Sequence, residues 1–75
     1  MIRYFFDLVG QQHSEYDYRG RVFSDLENAQ QLAELMVLDL GIEPDGEWSG
    51  WTIAVRNAQG RQVLSVPVEP VCLAA

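Results

Sequence analysis

From Ile2 to Val9 the chain alternates. Ile2, Tyr4, Phe6 and Leu8 fall on one side of a strand, and Arg3, Phe5, Asp7 and Val9 on the other. The first set is apolar and is expected to face a core; the second is mixed, as on a half-solvated sheet face. After the polar connection GQQHS, residues 14–18 alternate Tyr16 and Tyr18 with Glu15 and Asp17, which predicts a second strand paired with the first. The period then changes. Between Ser24 and Gly41, the residues Leu26, Ala29, Ala33, Met36, Val37 and Leu40 recur at three- and four-residue spacing, the signature of a helix with one apolar side. Ser24 and Glu27 have the spacing of a capping box, Asp25 and Glu27 suit the positive end of the helix dipole, and Gly41 is the expected left-handed stop. Leu35 and Leu38 fall on the side away from Ala29 and Ala33, as a wide apolar face or a second one.

Period two returns at Trp51. Residues 51–57 place Trp51, Ile53 and Val55 on one face; Asn57-Ala58-Gln59-Gly60 has the chemistry of a tight turn; residues 61–68 turn Leu64 and Val66 inward. Pro67 cannot donate to a ladder and marks an edge or an exit from the sheet. The expected fold is α+β: a ββαββ order giving a four-stranded antiparallel sheet with one helix on one face and the long first strand central. It is one domain, 1–75, with an ordered core over about 2–68 and a frayed tail, 69–75.

Length and charge narrow the functions. A chain of 75 residues buries only about 60% of its unfolded surface, so a disulfide, a metal or a second subunit usually helps to stabilise it. One cysteine, Cys72, excludes an internal disulfide, and one histidine, His13, excludes most zinc sites. Self-association is the remaining aid. The formal charge is −6 and every cation is an arginine, which argues against nucleic acid and against anionic membranes. No apolar run approaches a membrane span. The free thiol and the absence of a leader point to a cytoplasmic setting.

Candidate chemistry is sparse. His13 lies in a loop, Cys72 in the tail, and no glycine-rich phosphate cradle follows a strand. Glu43, Asp45 and Glu47 sit in a turn-forming segment without the spacing of a calcium loop. Trp48 and Trp51 could stack a sugar or a base, but no basic groove accompanies them. The final Cys-Leu-Ala-Ala matches a prenylation box only formally, since no basic residues precede it. The chain therefore reads as a non-enzyme, with no catalytic residue, metal, cofactor or small-molecule ligand. The expected role is a protein-interaction module, as a homodimer or with another protein. Its candidate interface is Phe5, Val9, Arg3 and Asp7 on the open sheet face, with Arg3 of one copy meeting Asp7 of the other, or Leu35 and Leu38 on the helix. The alternative is an acidic regulator docking on a basic protein.

Arg3-Tyr4-Phe5-Phe6-Asp7, then Asp17 with Gly20, then Asp25-Leu26-Glu27 with Ala29 and Ala33, and finally the run from Val55 to Gly60 leading to Val63-Leu64-Ser65-Val66-Pro67, carry a resemblance. The chain resembles a family of small bacterial proteins, frequent in rhizobia, that is known only as a domain of unknown function. Two departures are Ser24, where the family commonly has proline before the capping aspartate, and the loop GIEPDGEWSG, often more basic or alanine-rich in the family. The resemblance implies a compact ββαββ unit and no catalytic or ligand residue.

Overall fold

The computed structural model describes residues 1–42, 48 and 50–69. The acidic segment 43–47 and the tail with Cys72 lie outside them. Five strands and one helix follow in the order β1 (Ile2–Val9), β2 (Ser14–Glu15), β3 (Arg21–Phe23), α1 (Leu26–Gly41), β4 (Thr52–Asn57) and β5 (Gln62–Pro67). The fold is thus α+β with one antiparallel sheet, but the expected order ββαββ and four strands are corrected: the second strand, expected over 14–18, shortens to Ser14–Glu15, and a further strand, β3, forms at Arg21–Phe23 before the helix. β2 pairs with Leu8 and Val9, β3 pairs with Ile2 to Tyr4, and both lie on the same edge of β1. Tyr16 and Tyr18, expected in a strand, are exposed between them.

β1 and β4 form the centre of the sheet, and β5 closes the far edge. Tyr4, Phe6, Ile53 and Val55 lie beneath the helix with Ala29 and Ala33, all buried. The two alanines, one turn apart and fully covered, let the helix backbone come close to the sheet. Leu32, Met36, Val37 and Leu40 pack around them as half-buried flanks. Phe23 completes the cluster, edge-on to Phe6 at 5.8 Å and tilted to Tyr4 at 6.2 Å.

Several local expectations are corrected. The helix starts at Leu26, and its N-cap is Asp25, whose Oδ1 accepts the Asn28 N–H at 2.9 Å. Ser24 instead accepts from the Asn28 amide at 2.8 Å, so the cap lies one residue later than the Ser24–Glu27 pairing suggested. Leu26 then falls in the first turn beyond the sheet and is 37% exposed, not core. Ile2, at the strand end, is likewise exposed. Gly41 is still helical; the helix ends at Ile42 in right-handed geometry (φ −80°, ψ −17°) without a left-handed stop. Trp51 is half-buried and precedes β4.

The β4–β5 hairpin turns as its sequence requires. Gly60 N–H donates to the Asn57 carbonyl at 3.0 Å, and Gly60 adopts φ +83°, which glycine alone takes without strain. The Asn57 side chain accepts from Gln59 N–H and Arg61 N–H, holding the loop from within. A register shift follows: Val55 opposes Leu64, but Arg56 opposes Gln62. This bulge sends Gln62 to the outer face, contrary to simple alternation, and leaves Val63 half-buried against the core. Val68, just past the strand, is buried and ties its N–H to the Trp51 carbonyl at 2.7 Å. No helix is long and apolar enough to cross a membrane among the described residues.

Candidate functional site

Three places carry groups beyond those the core requires: the outer face of the sheet, the corner around Trp51, and the outer face of the helix. On the sheet, register brings Phe5 opposite Arg56 and Asp7 opposite Ala54. Arg56 therefore lies diagonally across from Asp7 on one face. Its Nε donates to Asp7 Oδ2 at 2.6 Å and its Nη2 to Oδ1 at 3.2 Å, a two-pronged pair. Asp7 is 3% exposed, although an isolated buried carboxylate would be costly. It is satisfied because Oδ1 also accepts the Asp17 N–H at 2.9 Å, while Arg56 Nη2 donates to the Asp17 carbonyl at 3.0 Å.

Asp17 does a second job. β2 and β3 leave a gap along the edge of β1 opposite Phe6, whose N–H has no strand partner there. The Asp17 carboxylate fills it: Oδ2 accepts Phe6 N–H at 3.2 Å, and Oδ1 accepts the N–H groups of Arg19 and Gly20 at 3.0 Å each. Arg3 Nη1 donates to the Arg19 carbonyl at 2.6 Å. Residues 17–20 thus form a strap across the outer sheet face. Gly20 has φ +71°, and a Cβ there would come 2.8 Å from the Tyr4 carbonyl and 3.0 Å from the Phe5 ring. Arg56 covers the same ring at 4.9 Å from its centroid. Phe5 is consequently half-buried under the strap, and Asp7 is engaged within its own chain. The expected pairing of Arg3 with Asp7 of a second copy is corrected on that ground. Val9 remains exposed.

Burial pushes the Asp17 carboxyl up, but the N–H groups of Gly20, Phe6 and Arg19 and the Arg56 charge outweigh it, so the group titrates below its ordinary value of 3.8. Arg56, hydrogen-bonded to Asp7, is held protonated above its ordinary range. For Asp17 the unfolded chain binds the proton more readily, so its contribution to stability is present above about pH 4 and is lost as pH falls through the folded pKa. In Asp17→Asn the acid limb of a stability-against-pH curve is expected to be shallower than in the parent. Parallel curves for the two proteins would refute this.

At the corner, Trp51 meets His13 edge-on at 4.9 Å and Trp48 at 5.0 Å. An open cleft of about 280 Å³, lined by Gln11, Gln12, His13, Gly50 and Trp51, lies beside them. His13 is exposed, and its ring packs on an indole; among the described residues no cluster of histidine, cysteine and carboxylates could hold a metal.

On the helix, Leu35 is 63% exposed, and Leu38 and Ile42 are each 53% exposed. At 3.6 residues per turn these three span an arc of only about 60°. Ile42 joins the stripe because the helix continues through Gly41, where its end was expected. Asp39 borders the stripe on one side and Glu34 on the other, each about 40° beyond it. The helix has no basic residue.

The strap and its ion pair were not foreseen. The available cues were an Asp-x-x-Gly turn at Asp17–Gly20 and opposite charges on the outward positions of two strands. No curated protein and no solved structure matches the chain. A family does: its signature matches residues 3–69, and the protein belongs to the family DUF6894, a domain of unknown function.

Proposed function

We propose that this protein is a non-catalytic interaction module that binds another protein through the exposed stripe of α1. The observation that carries the reading is the stripe of Leu35, Leu38 and Ile42, three large apolar side chains at helical spacing that the sheet does not use. Support comes also from where the resemblance residues fall. Asp7, Asp17, Gly20 and Arg56 fasten the strap, and Asn57 and Gly60 shape the hairpin, so these positions serve folding. A non-enzymatic role without cofactor fits His13 packed on Trp51, and a cytoplasmic setting fits the unpaired count of one cysteine.

Self-association and docking on a basic protein are the two forms this module could take. The acidic border of the stripe favours the second. Leu38→Glu is expected to fold as the parent does, because the side chain faces water, and to lose the partner that the parent captures specifically from its native cell. Identical partner sets for parent and variant would refute the reading. Sedimentation of both proteins at tens of micromolar decides self-association: a parent dimer converted to monomer by Leu38→Glu makes the partner a second copy.

A further inference from the structure

Resting on that reading, we propose that the stripe of α1 receives a basic amphipathic helix of another protein, and not a second copy of this chain. The charge around the stripe decides between them. Leu35, Leu38 and Ile42 lie between Glu34 and Asp39, and Glu27 continues the Glu34 side two turns earlier. The one ion pair among the described residues is Arg56 with Asp7, on the far face of the sheet, so neither Glu34 nor Asp39 is paired with a cation among them. Glu34 takes only a 3.3 Å hydrogen bond from the Gln30 amide.

The backbone adds to this field. The exposed stripe lies in the C-terminal half of α1, where the helix dipole is negative, and the last turn carries no basic residue. A two-fold pairing of this face with itself would bring Glu34, Asp39 and two negative helix ends together. A helix with leucines along one seam and lysines or arginines beside it would fill the stripe and place cations against both acidic borders.

The sheet edges give a second copy little alternative. β5 carries the bulge at Val63 and ends in Pro67, while β2 and β3 have two and three residues. Bulges, proline and short strands all discourage edge-to-edge pairing.

The probe is a fluorescein-labelled synthetic helix of leucine and lysine at amphipathic spacing, with a leucine–glutamate helix as its counterpart, read by anisotropy at low and moderate salt. The lysine helix is expected to bind the parent saturably and more weakly as salt rises. Leu35→Ser/Leu38→Ser, which keeps the net charge, is expected to weaken it by about tenfold or more, and Glu34→Gln/Asp39→Gln by about tenfold. Far-ultraviolet circular dichroism establishes that each variant is folded. No binding by the parent overturns the inference, and so does equal binding by the serine variant, which would mean attraction to bulk charge alone. A parent dimer dispersed by Leu38→Glu overturns the foreign partner while leaving the interaction module in place. A monomeric parent with no probe binding, and with the same cellular partners as Leu38→Glu, overturns both.

Discussion

Arg56→Met is expected to destabilise the fold by about 3 kcal/mol, the low end of the cost of breaking a buried ion pair, because the guanidinium keeps some contact with water. Methionine retains much of the apolar stem over Phe5 but leaves the Asp7 carboxylate buried without its cation. That is a large share of the stability available to so small a domain. Adding Asp7→Asn should restore part of the loss, since the amide oxygen can still accept the Asp17 N–H and no charge is left buried. Urea unfolding of the two single variants and the double variant gives the coupling directly. A loss below about 1 kcal/mol in Arg56→Met, or strict additivity in the double variant, would mean that the pair does not hold the strap.

Ile53→Ala is expected to cost about 3–4 kcal/mol, through lost burial and the cavity left under the helix. Ile53 is fully buried at the centre of the sheet, between Leu8 and Val66 in register. Leu26→Ala supplies the contrast and should cost less than about 1 kcal/mol, since that side chain stands at the exposed start of the helix. Equal midpoints for the two variants in urea would show that the core is centred elsewhere.

The helix and the second hairpin were legible because each announces itself locally. Alanines and larger apolar residues at period 3.6 mark α1, and Asn57 with Gly60 marks the turn by side-chain and backbone chemistry within four residues. The central place of β1 followed from its length and apolar content and is where the structure puts it. The cap was misplaced by one residue because Ser24 and Asp25 are both good caps and both find a partner in Asn28. The strap was illegible for a different reason. Tyr16 and Tyr18 mimic the alternation of a strand, whereas Asp17 between them works by accepting the Phe6 N–H of β1 on its carboxylate and donating its own N–H to the Asp7 carboxylate, bonds that leave no period in the sequence. The pair of Asp7 with Arg56 depends on the register of β1 against β4, a tertiary fact. The stripe on α1 was half visible: Leu35 and Leu38 stood out, and Ile42 joined them only because the helix runs one residue past its expected end.

The central strand pair also has a consequence in time. Asp7 and Arg56 are 49 residues apart, and every residue of β4 is as distant from its neighbour in β1 on the same scale. Loop closure of that span must come before the contacts that reward it, which makes such pairings slow to nucleate. During synthesis β1, with Tyr4, Phe5 and Phe6, is made before the helix and waits for β4, which is made after it. For that interval its aromatic side chains are open to water and to other chains. Synthesis from the ribosome therefore leaves the most apolar strand of this domain without its central partner until α1 and then β4 have been made.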